Sequence, residues 1–213
     1  MAGLLSPGTP FYRAWSSAAD LVLVNVVTLV ACLPVVTAGA ALTACARVTM
    51  EVAREEEGYV LRTWWRSFRG NLVQSLAWWL PALALAAVGG SAFVLAGTGA
   101  AGGAGEAGVV SGLVIVGSAA IAGVLVWLVP LVAFFENTVA GHVSNAVRLA
   151  VGGLGRTVVC LAVLVAPAVL AAVLPASRVA VAWFEVLLGT AFAWYLIALV
   201  QRGVIDRLRD AAR

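Results

Sequence analysis

Long, uninterrupted apolar stretches are the feature that most constrains how this chain folds. Four of them occupy residues 72–97, 109–135, 156–175 and 179–200. Each is close to the roughly 20 residues that an α-helix needs to cross a hydrocarbon core about 30 Å thick. Because 63% of the 213 residues are hydrophobic and only 11% are charged, a water-soluble domain could not bury this surface. The sequence therefore predicts an all-α, polytopic transmembrane helix bundle that forms a single membrane domain over residues 1–213.

The first apolar segment, residues 16–36, is broken near its end by Pro34. Proline removes a helical hydrogen bond and clashes with the preceding turn, so a helix ends or kinks there. A further apolar piece over 38–50 contains Arg47 and is short for a crossing. We expect about five spans with a broken first segment and the amino terminus outside. If residues 38–50 also cross, there are six spans and the amino terminus lies inside.

The arginines are confined to alternate connections between the apolar stretches, and the chain contains no lysine. They occur before the second span (Arg47, Arg54, Arg62, Arg66 and Arg69), after the third (Arg148 and Arg156) and in the tail (Arg202, Arg207, Arg209 and Arg213), whereas the intervening connections hold none or only Arg178. Cytoplasmic loops are enriched in arginine and lysine. We therefore expect a multi-pass plasma-membrane protein with cytoplasmic arginine-rich loops and a cytoplasmic carboxyl terminus. The net charge of +3 reflects this topology and does not indicate nucleic-acid binding.

Two inner segments, residues 40–70 and 137–155, have an amphipathic pattern. The first of them has Arg62, Arg66 and Arg69 on one face. Its other face carries apolar and aromatic residues at helical spacing: Leu61, Trp64, Trp65, Phe68 and Leu72. Arginines near anionic headgroups and tryptophans in the interfacial layer are typical of a helix that contacts the bilayer surface. Arg62, Trp65, Arg66 and Arg69 are thus a candidate surface for lipid or for a partner protein, membrane anchoring being the simpler interpretation.

Polar residues within or beside the spans are the other candidate site. A charge at the centre of a transmembrane helix costs about 2.5 to 3.5 kcal/mol on the insertion scale and calls for a reason. Glu185 lies inside the last apolar stretch and Glu136 at the end of the third, where it could pair with Arg66 or Arg69. With Asn25 and Asn137 they form a candidate intramembrane polar site.

Nothing in the sequence indicates catalysis, a metal or a cofactor. The chain has no HExxH and no GxSxG motif, the signatures of zinc peptidases and of serine hydrolases. Its three cysteines lack metal-ligand spacing, and it has one histidine. We therefore expect a protein that is not an enzyme and has no catalytic, metal-binding or cofactor-binding residues.

Several short motifs resemble the YesL-like family of bacterial integral membrane proteins. They are Leu23-Val24-Asn25, the run from Leu33 to Gly39, Glu57-Gly58-Tyr59, the run from Trp65 to Asn71, and Phe135-Glu136-Asn137-Thr138. The resemblance implies a small multispanning protein of unassigned activity, often encoded beside sugar-uptake ABC transporters. It favours an accessory or regulatory partner of a carbohydrate-uptake system that binds an ABC permease. A small transporter with a polar path, or a membrane scaffold that binds no ligand, are the alternatives.

Overall fold

The computed structural model describes residues 10–56, 58–98 and 103–211; for residues 10–14 and 104 it describes the backbone alone. The α-helices are α1 (Pro10–Cys32), α2 (Ala38–Ala53), α3 (Val60–Gly97), α4 (Ala104–Phe134), α5 (Val139–Gly152), α6 (Leu154–Val173), α7 (Arg178–Phe184) and α8 (Thr190–Ala211). Short 3-10 turns occupy Val35–Thr37 and Pro175–Ser177, and a π-helical segment, Glu185–Gly189, joins α7 to α8. The prediction of an all-α membrane helix bundle is confirmed.

Six segments of the described chain are long and apolar enough to cross a membrane. They are Trp15–Cys32, Val35–Ala53, Val60–Gly97, Gly105–Phe134, Leu154–Val173 and Pro175–Ala211. The structure thus adds one candidate, Val35–Ala53, to the five expected spans. Val35–Ala53 qualifies because α2 follows the short 3-10 turn without a break. Arg47 therefore lies inside one continuous apolar helical segment and does not end it.

Helix α2 is the centre of the bundle. Twelve of its 16 residues are buried, and it contacts α1, α3, α4 and α8. Small side chains permit this, because alanine and glycine let neighbouring helices approach closely. At Gly39 the approach is closest, since an added Cβ would lie 2.7 Å from Cβ of Trp79. Residues 40–53 are therefore a buried core helix and not the first part of the amphipathic inner segment predicted over 40–70.

The turn between α1 and α2 has its backbone carbonyls satisfied by side chains. The Thr37 hydroxyl donates to the carbonyls of Ala31 (2.6 Å) and Pro34 (2.8 Å), and Trp79 Nε1 donates to the carbonyl of Val35 (2.7 Å). Trp79 follows Arg69 by ten residues of α3, about 15 Å at 1.5 Å per residue. The turn therefore lies well inside the apolar length of the bundle, where unpaired carbonyls are costly.

Helix α3 is one continuous helix of 38 residues, about 57 Å long and therefore longer than the hydrocarbon core. Its first turns, which the sequence indicated as an interfacial helix, extend the span beyond the apolar layer. Helix α5 lies within the second amphipathic segment, 137–155. The sequence pattern predicts Val143 and Val147 on its apolar face with Ala146 and Ala150, and His142 elsewhere, but the phase of the helix differs. His142, Ala146 and Ala150 are buried, whereas Val143 and Val147 are exposed.

Candidate functional site

The predicted surface residues lie together on one exposed side of α3. Arg62, Trp65, Arg66 and Arg69 are all exposed, and their spacing of three and four residues places them on one helix face. The Arg69 guanidinium lies 5.9 Å from the centre of the Trp65 ring. We call these four residues the α3 basic face.

Beneath this face, neighbouring aromatic side chains fix the position of α3. The rings of Trp64, Trp65 and Phe68 stack on one another. Trp64 is buried, and its Nε1 donates to the Thr28 hydroxyl at 3.0 Å. The sequence pattern placed both tryptophans on the apolar side, but the helix phase buries Trp64 and leaves Trp65 with the arginines. The α3 basic face is thereby held in a fixed orientation against α1.

A polar pocket of about 220 Å³ lies beside the α3 basic face. It is lined by Arg47, Thr63, Arg66, Ser67, Asn71 and Ala133. The half-buried Arg47 already has partners within the protein, because it donates to Glu51 Oε1 at 2.7 Å and to the Ala133 carbonyl at 3.0 Å. Arg66 is the cation of this pocket that is most available to an anion from outside.

A charged cluster that the sequence analysis did not single out ties together the ends of α2, α4 and α8. The guanidinium groups of Arg47, Arg54 and Arg209 lie 4.4, 4.9 and 5.8 Å from the centre of the Phe134 ring. Arg54 also pairs with Asp206 at 2.5 Å. No sequence signal reveals this cluster, because its members on α2, on α4 and on α8 are separated from one another by about 70 to 160 residues of chain. It places the carboxyl end of α8 beside the ends of α2 and α4, where the chain leaves α2 toward α3.

Asn25 and Glu185, two of the predicted polar-site residues, are neighbours through the backbone of the π-helical segment. Asn25 is fully buried. Its Nδ2 donates to the carbonyls of Glu185 (3.0 Å) and Val186 (2.8 Å), and its Oδ1 accepts from the Ala191 amide at 3.0 Å. A π-turn interrupts the regular helical hydrogen-bond ladder, and Asn25 supplies partners at that interruption. Its amide is therefore committed to the fold.

The Glu185 side chain lines a cavity of about 260 Å³ between α2, α3, α4, α6 and α8. Most of the lining is apolar, with three indoles, Trp78, Trp79 and Trp194, and the hydroxyl of Thr190. Glu185 is the one charged residue of the described lining. Its carboxylate lies over Gly189, where a Cβ would overlap both oxygens. The cavity is thus an apolar, aromatic chamber with a single acidic group.

Glu136 and Asn137 lie elsewhere, in the exposed link between α4 and α5. The Asn137 carbonyl accepts from Gln74 Nε2 at 2.8 Å, and Glu136 has no ion pair with Arg66 or Arg69 among the described residues. Arg209 lies near Phe134, close to this link, and it follows Glu185 by 24 residues of helix, about 36 Å. The four predicted polar-site residues therefore form two separate groups.

The described part of the chain brings no three metal-ligating side chains together. Cys32, Cys45 and Cys160 are free thiols.

Comparison with known proteins gives one match. No curated protein and no solved structure matches this chain. Residues 21–90, a third of the chain, match the model of a family described as "Protein of unknown function, DUF624". The matched segment contains the second half of α1, all of α2 and α3 as far as Gly90, and it includes the α3 basic face.

Proposed function

We propose that this protein is an accessory or regulatory membrane protein that binds the permease of a carbohydrate-uptake ABC system through the α3 basic face. The observation that carries the proposal is the presentation of Arg62, Arg66 and Arg69 around the exposed Trp65. Tryptophan and arginine are the residues most often found at the energetic centre of protein interfaces. The partner surface that fits is acidic, with an apolar recess for the Trp65 ring.

The rigidity of this face supports docking. Trp64 and Phe68 fix α3 against α1 from below, so the arginines and Trp65 are held on a supported helix. A surface that is already ordered loses less conformational entropy on binding than a mobile loop does.

The proposed orientation places this face in the cytoplasm. Arg47, Arg54 and Arg209 converge on Phe134 at the same end of the bundle as the start of α3, and arginine enrichment is typical of the cytoplasmic side. With six spans, both chain ends lie on that side. A cytoplasmic docking surface suits a partner that couples sugar uptake to energy or to regulation inside the cell.

The choice of a carbohydrate permease rests on the YesL-like resemblance. Two of its motifs, the run from Trp65 to Asn71 and Glu57-Gly58-Tyr59, coincide with or immediately precede the α3 basic face. The matched segment 21–90 also contains both. Part of the resemblance, two of its five motifs, thus coincides with the part of the chain that we propose as the docking surface.

A transport path through Asn25, Glu136 and Glu185 has less support. The Asn25 amide is committed to three hydrogen bonds. Glu136 follows Phe134 at the Arg209 end of the bundle, and Arg209 is about 36 Å of helix beyond Glu185. A scaffold without partners is the other alternative.

The test is co-purification from native membranes in mild detergent, with every associated chain quantified by mass spectrometry. We compare the wild type with a variant that carries Arg62→Gln, Arg66→Gln and Arg69→Gln. The matched control carries Arg148→Gln, Arg156→Gln and Arg207→Gln, which removes the same charge from other exposed arginines. We expect a stoichiometric permease with the wild type and the control, and its loss with the α3 variant.

Three results would overturn the proposal. Retention of the permease by the α3 variant would show that the α3 basic face is not its docking surface. A wild-type protein that purifies alone supports the scaffold alternative. Equal loss of the permease from both triple variants shows that the association depends on the total positive charge of the protein, through its attraction to anionic lipid. The α3 basic face then has no specific role.

A further inference from the structure

We propose that the cavity around Glu185 is a binding site for a small lipophilic organic ammonium ion. The inference concerns a different part of the molecule from the α3 basic face and does not depend on the docking role. It rests on the charge, the aromatic lining and the size of the cavity.

The charge of Glu185 has no partner among the described residues. Arg178, the basic residue nearest to it in sequence, points to α6 instead, where its Nε donates to the Ala171 carbonyl at 3.0 Å. An acidic side chain within a membrane span is costly to bury, so it marks a functional site by default, and its partner has to be identified. A cation that enters the cavity is the complementary partner.

The other residues that line the cavity determine which type of cation fits it. Trp78, Trp79 and Trp194 contribute indole rings from α3 and α8, and indole faces attract organic ammonium groups, as in aromatic cages for quaternary ammonium. Calcium takes six to eight oxygen ligands, and magnesium keeps several waters in an octahedral shell. The described lining offers one carboxylate and one hydroxyl, that of Thr190, and its mostly apolar walls leave such waters few hydrogen-bond partners. A cation with alkyl or aryl substituents satisfies both the carboxylate and the apolar walls.

The backbone holds the carboxylate in position. Asn25 fixes the carbonyl of Glu185 and that of the next residue, and Gly189 leaves room for the carboxylate against the helix. π-turns occur frequently at functional sites. Here the wide turn and the missing side chain at Gly189 together seat an acidic group in an otherwise apolar chamber.

The size and the opening of the cavity limit the ligand further. At about 260 Å³ the cavity falls slightly below the usual range for drug-sized ligands, about 300 to 1,000 Å³. Leu164 at its rim is exposed on the surface of the bundle, so the ligand can enter from the bilayer. An ammonium ion with short alkyl arms and one aromatic ring fits these limits.

The experiment uses benzyltrimethylammonium as the probe and the full-length protein in detergent micelles, with tryptophan fluorescence and calorimetry as readouts. The neutral control ligand is neopentylbenzene, in which carbon replaces the charged nitrogen. We expect saturable binding of the cation and at least tenfold weaker binding of the neutral isostere, because only the cation pairs with Glu185.

The variants separate the role of the carboxylate from that of the fold. Glu185→Gln should weaken cation binding by about tenfold or more, since it removes the charge partner. Gly189→Ala, which displaces the carboxylate, should weaken it in the same direction, and Glu136→Gln, outside the cavity, should leave it unchanged. A thermal melt of each variant checks folding.

Three outcomes refute the site: no saturable binding of the cation, equal affinity for the neutral isostere, or unchanged affinity in a folded Glu185→Gln variant. The comparison of the two ligands uses the wild-type protein, so it decides the matter even if a variant does not fold. None of these outcomes bears on co-purification of a permease.

Discussion

Replacing Asn25 by alanine tests the contact between the first helix and the π-helical segment. Asn25 is fully buried and forms three hydrogen bonds of 2.8 to 3.0 Å to backbone atoms of Glu185, Val186 and Ala191. The alanine variant removes all three and leaves two carbonyls and one amide without those partners. The helix ladder is already interrupted there, so the freed groups have no regular substitutes.

The size of the effect follows from these bonds. A typical intramolecular hydrogen bond contributes a net of about 1 kcal/mol to stability, and bonds between membrane helices average about 0.6 kcal/mol. Three bonds therefore contribute about 2 to 3 kcal/mol. We expect Asn25→Ala to lower the free energy of unfolding by about that amount, with a small further loss from the cavity it leaves.

The assay is reversible unfolding of the purified protein in mixed micelles. Thr28→Val is the matched control, because it removes one buried bond, from Trp64 Nε1, in the same helix and should cost about 1 kcal/mol. Asn25→Asp keeps the acceptor for Ala191 but places an oxygen against two carbonyls, so we expect it to be at least as harmful as alanine. If Asn25→Ala costs no more than Thr28→Val, the proposed role of Asn25 is wrong.

Three further predictions concern packing, pH and topology. Gly39→Val should destabilise the fold by about 1 to 3 kcal/mol through overlap with Trp79, whereas Gly90→Ala, which meets no neighbouring atom, should be neutral or mildly stabilising in the same unfolding assay. Burial lowers the pKa of His142. The stability that neutral His142 contributes is therefore present above about pH 6.5 and is lost as the pH falls from there through the lowered pKa. His142→Leu should flatten this part of the curve of unfolding free energy against pH, and an unchanged curve would contradict the assignment of this pH dependence to His142. A cysteine at Leu33, in a cysteine-free background, should react slowly with aqueous maleimide from both sides of the membrane. The reason is that the turn between α1 and α2 lies about 15 Å along α3 from the basic end of that helix. Rapid labelling from outside would instead show that α1 and α2 both cross the membrane fully.

The parts of the fold that the bilayer dictates were predictable from sequence. Hydrocarbon thickness fixes the length of a spanning helix, so the apolar stretches that become α3, α4, α6 and the α7–α8 unit could be identified directly. Helix α2 could not be assigned in the same way. Arg47 made it look interrupted. Its partner Glu51 lies one turn along the same helix, but the Ala133 carbonyl that also accepts from this arginine becomes its neighbour only in the folded bundle.

The candidate sites show the same division between local and long-range information. The α3 basic face follows from residue spacing within one helix, although the pattern alone did not separate Trp64 from Trp65. Asn25 and Glu185 were each noticed as polar residues in apolar surroundings. Their actual relation is a side chain bound to the backbone of a π-turn 160 residues away, and backbone acceptors leave no trace in the sequence.

The segment that matches the family model contains one of the two proposed sites and not the other. Within residues 21–90, hydrogen bonds join α3 to α1 and to the turn before α2, since Trp64 donates to Thr28 and Trp79 to the carbonyl of Val35. This three-helix unit carries the α3 basic face, so a docking role is one that other chains matching the family model could share. Glu185 lies outside the matched segment and is joined to it through Asn25. Other chains that match the family model can be compared at the positions of Asn25 and Glu185. If they keep the asparagine but lack an acidic residue at the π-turn, the main role of Asn25 is to stabilise the fold, and the ammonium site is an additional property of this chain.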